Sequence, residues 1–142
     1  MRQFAKALHK KADQVETAGS RLAVIGTLAA VETLVAITPV DTSEHLSNWQ
    51  IALGSPALSG LPPYSLGSRG STQAASSRAT VAAARTALAY KKPGQTVFIS
   101  NLGPAIVKLD HGWSSQFAGG FVPRAVLSFR KAVEGNVTKI FK

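Results

Sequence analysis

Phe4, Leu8, Val15, Leu22, Ile25 and Leu28 recur at intervals of three, four and seven, the spacing that lines one face of an α-helix. Residues 2–37 therefore read as one long helix, with a soft point at Gly19-Ser20. Lys6, Lys10, Lys11, Asp13 and Glu16 make the rest of its first half polar, whereas LAVIGTLAAVETLVAI, Leu22 to Ile37, is apolar nearly all round. That change predicts a front exposed on one side and a back enclosed by this subunit or by a neighbour. A segment apolar on more faces than one small domain can cover points to subunit contact, with Leu22, Ile25, Leu28 and Val35 as the candidate residues.

Pro39 biases Thr38 away from helical angles and ends this helix. Asp41 then reads as the cap of a short new helix, with Glu44 at its third position, and Leu46 and Trp49 three apart entering the core together. Trp49, Ile51 and Leu53 alternate with Gln50 and Ala52, the period of a strand. Residues 54–71 hold four Gly, three Pro and five Ser and read as a long flexible loop. An Ala-rich helix follows, its last turn carrying Lys91 and Lys92 and its end marked by Pro93-Gly94. QTVFIS is the clearest strand, with Asn101-Leu102-Gly103-Pro104 as its turn, then a short helix from Ala105 to His111. A final helix has Pro123 in its first turn and stops near Glu134 at Gly135-Asn136, leaving VTKIF as a short terminal strand. The class is α+β: a long N-terminal helix, two or three shorter helices and a small antiparallel sheet, in a single domain over residues 1–142.

Composition narrows the function classes. The chain has no cysteine, so disulfides and thiolate chemistry are excluded. Sixteen Lys and Arg against seven Asp and Glu give a net charge of +9, a field that suits nucleic acid, anionic lipid or an acidic protein surface. Between Glu44 and Asp110 there is no acidic residue, yet Arg69, Arg78, Arg85, Lys91, Lys92 and Lys108 all lie there. Arg78 and Arg85 are seven apart on the Ala-rich helix and share a face, so with Arg69 they are the candidates to meet DNA or an acidic partner. The sixteen-residue apolar run from Leu22 would span about 24 Å as a helix, short of the roughly 30 Å hydrocarbon core, and it contains Glu32. It reads as a buried helix of a soluble protein, with no membrane partner.

Asp110, His111 and Ser114 invite a hydrolase reading. Neighbours at successive helical positions point about 100° apart, however, so Asp110 is badly placed to orient His111, and no G-x-S-x-G turn surrounds either serine of the pair Ser114-Ser115. His45 with Asp41 and Glu44 offers hard metal ligands, but Asp41 is better used as a cap. No phosphate-binding loop or dinucleotide fingerprint is present. Neither an enzyme nor a cofactor or metal site is expected.

Three stretches in order, ITPVDTSEHLSNWQ, KKPGQTVFISN and AIVKLDHGWSSQFAGGFVPRAV, resemble the tail-completion or neck proteins of tailed double-stranded DNA bacteriophages. The resemblance spans most of residues 1–134. In that family a long N-terminal helix leads into a T-P-V-D-T-G-x-L-x-x-S-W type motif, then a strand ending in Asn, then a helix with a Glu-x-Gly. Pro39, Asp41, Trp49, Asn101, Asp110 and Gly112 fall on these motifs as structural residues. Ser43 stands where the family usually has Gly, Asp110 where it has Glu, and Pro104 where Tyr is common. The resemblance implies a structural virion protein, assembled in the host cytoplasm, that forms a hexameric or dodecameric ring in the neck. Its partners would be copies of itself, the head-side connector or portal adaptor, tail proteins and, transiently, packaged DNA. A small basic DNA-binding protein is the alternative; it explains the charge but not the apolar helix, and no helix-turn-helix is present.

Overall fold

The computed structural model describes residues 1–140. It contains α1 (Arg2–Ile37), α2 (Glu44–Ser47), β1 (Trp49–Leu53), α3 (Gln73–Leu88), β2 (Val97–Asn101), α4 (Ile106–Asp110) and α5 (Phe121–Ile140). The α+β class expected from the sequence is the architecture found. The two strands pair antiparallel, Trp49 opposite Asn101 and Leu53 opposite Val97. A lone two-stranded sheet is marginal in water, and here its inner side chains are held by helices. Ile51 and Ile99 face each other across the ladder and pack with Trp49 against Val31, Val35, Val40, Leu46 and Ala84. A second cluster joins Leu34, Phe117 and Phe121, and Trp49 and Ile99 belong to both. These two residues tie the cores together.

α1 runs unbroken through Gly19-Ser20 for 36 residues, about 54 Å. Its apolar half is the centre of the molecule, with Val31, Leu34 and Val35 at most 4% exposed. By length and composition α1 could cross a membrane; α3, α5 and the sheet pack against its second half and bury 39% of its most apolar stretch. Every residue from Met1 to Thr17 is exposed, so the front of the helix is a free arm rather than one half-covered face.

Close helix contact explains the small residues of α3. Its buried positions Ser76, Thr80, Ala84 and Leu88 recur at fours, and Thr80 Oγ1 donates to the Ser76 carbonyl at 2.8 Å, so the hydroxyl is satisfied without water. α3 ends at Leu88, earlier than the sequence suggested. Lys91 therefore lies beyond its last turn, where its Nζ donates to Ser20 Oγ of α1 at 2.9 Å.

The last helix departs further. α5 does not stop at Gly135-Asn136 but continues to Ile140, so residues 137–140 are helical rather than the expected strand; Phe141 of that expected strand lies outside the described residues. Tertiary packing overrides the local stop signal, whose cost is only about 1 kcal/mol for a helical glycine. α5 lies along α1, Thr33 Oγ1 meets Ser128 Oγ at 2.6 Å, and Asn136 Nδ2 donates back to the Ala132 carbonyl at 2.7 Å. Gly26 lets the two helices approach, for a Cβ there would stand 2.6 Å from the Phe129 ring.

Asp41 does not cap α2. The residue before α2 is Ser43, in the left-handed region at φ 70°, and Glu44 is the first helical position rather than the third. Asp41 instead holds the long loop: its Oδ1 accepts the Arg69 N–H at 2.6 Å and its carbonyl accepts the Gly70 N–H at 2.9 Å. Residues 54–71 carry further tethers, since the Asn48 amide exchanges two bonds with the Leu61 backbone at 2.7 and 2.8 Å, and Ser47 Oγ accepts the Tyr64 N–H at 3.0 Å. Between tethers the chain is bare, with Leu58 95% and Leu66 75% exposed. Limited chymotrypsin digestion of the isolated protein is expected to cut at Leu58 or Leu66 before trypsin cuts at Arg69. In the variant Asp41→Ala that order should reverse, because Arg69 loses its anchor.

Candidate functional site

The Asp-His-Ser run is a corner that starts α5. Asp110 is the last residue of α4; its Oδ1 accepts the Phe121 N–H at 2.8 Å and its carbonyl accepts the Gly120 N–H at 3.0 Å. The carboxylate thus satisfies a free amide at the head of a 20-residue helix, where negative charge also suits the dipole. Ser114 Oγ accepts the Gln116 N–H at 3.1 Å. Asp110, His111 and Ser114 make no hydrogen bond with one another. Gly112 has φ 81°, and a Cβ there would stand 2.6 Å from the Ala118 carbonyl oxygen. Asp110 and Gly112 are both required by the turn.

A second set of contacts locks the other motif residues onto the same corner. Trp49 Nε1 donates to Thr38 Oγ1 at 2.8 Å, and its ring meets Phe121 edge-on at 5.3 Å between centroids. Asn101 Nδ2 donates to the His45 carbonyl at 2.7 Å while its Oδ1 accepts the Gly103 N–H at 2.9 Å, so the residue bonds its own turn. His45 Nε2 accepts the Ala105 N–H at 3.1 Å. With Asp41 on Arg69 and His45 on Ala105, two of the three metal-ligand types near α2 are engaged in the fold, and no group of three such ligands occurs among the described residues. The sequence offered no sign of the His45 role, because its partner is 60 residues away.

The basic candidates divide. Arg78 and Arg85 are exposed on one face of α3 and, with Glu32 of α1, Ser77, Val81 and Ala82, line a shallow groove of about 360 Å³. Arg85 Nη2 lies 3.5 Å from Glu32 Oε1, with the two side chains 64% and 49% exposed, so this ion pair contributes about 0–1 kcal/mol at most. Arg69 is held apart in the loop at φ 52°, its backbone tied to Asp41. The structure unites Arg78 with Arg85 and leaves Arg69 outside their groove.

The four interface candidates also divide. Leu22 and Val35 are buried inside the subunit at 9% and 4% exposure, so they have no surface left for a neighbour and are core residues. α3, α5 and the sheet cover part of this segment, while Ala23, Val24, Ile25, Leu28 and Ala29 are half-buried and Ala36 is exposed. Leu28 is half-buried against the first core cluster. Ile25 is half-buried in an apolar groove of about 500 Å³ at the root of the arm, beside Val24, Pro93 and Ile140. Apolar surface open to a partner lies also on the arm, at Phe4, Leu8 and Val15, which are 69%, 57% and 57% exposed, and on α5 at Val122 and Leu127, 66% and 54% exposed. The periodicity of the arm residues was visible in the sequence; that α5 would not reach them was not.

Comparison of the chain with protein-family profiles, with curated proteins and with solved structures gives no match.

Proposed function

We propose that the chain is a structural subunit of the neck of a tailed bacteriophage, joining the head-side connector to the tail as a homo-oligomeric ring. The observation that carries this reading is the free arm: an exposed helix of some 17 residues with an apolar stripe has no use within one subunit and suits a protein built to be held by others. The resemblance is supported by three positions. Ser43, where the family usually has Gly, takes the left-handed φ of 70° that favours glycine. Asp110 and Gly112, at the family's Glu-x-Gly, cap α5 and turn the chain into it. On this reading the Arg78–Arg85 face looks onto passing DNA or an acidic neighbouring ring with weak contacts, because a duplex that must exit cannot be clamped.

Antibody labelling and mass spectrometry of purified tailed particles test the assignment. Label at the head–tail junction is the expected result, and a protein missing from particles overturns it. Replacing Arg78 and Arg85 together by Gln should leave the melting temperature unchanged, since both side chains are exposed, and should lower the yield of full, tailed particles. If both arginines meet phosphate, the salt slope of duplex binding falls by about two units. A small DNA-binding protein would instead bind duplex steeply and alone, without entering particles.

A further inference from the structure

We infer that the arm is a self-pairing device, in which residues 2–17 of one copy lie antiparallel on the same segment of a second copy. The inference goes beyond the assembly reading, because antiparallel pairing of one segment with itself is a two-fold contact that joins two copies, whereas a ring closes through head-to-tail contacts. Phe4, Leu8, Val15, Leu22, Gly26 and Thr33 follow one another at intervals of four and seven, so they form a single line along α1. At Gly26 and Thr33 that line is covered by α5, through Phe129 and Ser128. Ile140, the last described residue of α5, lines grooves with Thr17 and Arg21. Beyond it the same face continues into the arm, where Val15 lines one of these grooves with Ile140, and Phe4, Leu8 and Val15 are 69%, 57% and 57% exposed.

The shape of this step selects the occupant. α5 stands on that face with the thickness of a helix, about 10 Å, and the exposed stretch of arm is about 24 Å long. A flat bilayer laid against the stripe would meet α5 first and be held off. A second helix fills the step and continues the line of α5.

Charge selects the copy and its direction. Arg2, Lys6, Lys10 and Lys11 give the outer eleven residues four cations and no carboxylate, whereas Asp13 and Glu16 lie at the root. Antiparallel pairing sets Arg2 and Lys6 of each arm beside Glu16 and Asp13 of the other, while Lys10 and Lys11 of the two copies come together at the centre of the pair, exposed to solvent. A parallel pair would stack like charges, and a uniformly acidic partner would face Asp13 and Glu16 unfavourably. The same alignment places Phe4 across from Val15 and Leu8 across from Lys11 of the second copy, whose stem can lie along the leucine with its charge turned to solvent. A short isolated helix would be marginal, but this one extends a helix already anchored in the core. So few large side chains make a small interface, in the class under about 1,200 Å² in total, so pairing alone is weak and gains strength when several arms act together.

The test uses the full chain, into which single cysteines can be placed because it has none. Sedimentation equilibrium is expected to show association that weakens with added salt. Leu8→Asp should halve the mass while leaving the melting temperature unchanged, since Leu8 lies outside both core clusters. Mixing Phe4→Cys with Val15→Cys under oxidation should give mostly the mixed disulfide. Wild-type protein that is monomeric throughout, association unaffected by Leu8→Asp, or a predominant Phe4→Cys homodimer each overturns the pairing. Monomers that sediment with phosphatidylserine vesicles, or that associate only with an acidic protein, overturn it in favour of that surface. All these readouts are taken in solution. A protein absent from particles would leave them standing, and failure of the pairing would leave the neck assignment to its own test.

Discussion

Replacing Phe121 by alanine is expected to destabilise the protein by about 3–5 kcal/mol, the range for removing a buried aromatic side chain. Phe121 is 2% exposed, stacks on Phe117 with centroids 4.5 Å apart and receives the edge of Trp49 at 5.3 Å. Its surroundings resist collapse, because the residue is the first of α5 and its own N–H is fixed to Asp110. The lost ring would therefore leave a cavity between α1, the sheet and the corner, in addition to two aromatic contacts worth about 0.5–1.5 kcal/mol each. Thermal unfolding followed by circular dichroism should show a midpoint lower by roughly 10–15 °C. A cost under about 1 kcal/mol would mean that the corner relaxes and that the aromatic cluster is not the joint between the cores. Leu8→Ala, on the exposed arm, should by contrast leave the midpoint alone, because Leu8 is 57% exposed and lies outside both core clusters.

What the sequence made legible follows from the range of the interactions involved. α1, β1, β2 and the break at Pro39 are set by periodicity and by one proline, and they lie where the pattern put them. The errors fall where a distant partner overrides a local signal. Gly135-Asn136 is a sound stop signal by itself, but α5 is bound along α1 and runs through it. Asp41 precedes a short helix and looks like its cap, yet its carboxylate is spent on Arg69, 28 residues on. Leu22 and Val35 were assigned to a partner because α1 seemed to carry too much apolar surface. Both are core, and the arm adds exposed apolar surface at Phe4, Leu8 and Val15, a stripe whose helical period is legible in the sequence but whose lack of cover is not. Asp110 is legible as a structural residue of its motif, but its role as the cap of α5 depends on a chain reversal that no local pattern specifies.

The second large effect is expected at that reversal, from Gly119→Ala. Gly119 has φ 101°, and a Cβ there would overlap the Asp110 carbonyl oxygen and stand 3.0 Å from the Gly112 nitrogen. These are backbone atoms with little freedom to yield. The Asp110 carbonyl holds the Gly120 N–H at 3.0 Å, and Gly112 donates to the Leu109 carbonyl at 3.1 Å. The left-handed backbone alone costs an alanine about 1–2 kcal/mol, and crowding against a fixed neighbour adds typically 1–3 kcal/mol, so the expected loss is about 3–4 kcal/mol. Gly120 supplies the control. Its φ of 83° carries the same kind of strain, but nothing lies within 4 Å of its Cβ position. Gly120→Ala should therefore cost only the strain, about 1–2 kcal/mol. Urea midpoints for the two variants measure the difference directly. Equal losses would show that the close approach of Gly119 to Asp110 is not part of the folded corner. A clear excess for Gly119, together with unchanged stability in His111→Ala, would establish the Asp110-His111-Gly112 run as a device for starting α5, in which the aspartate works through its backbone and its cap and the histidine through neither.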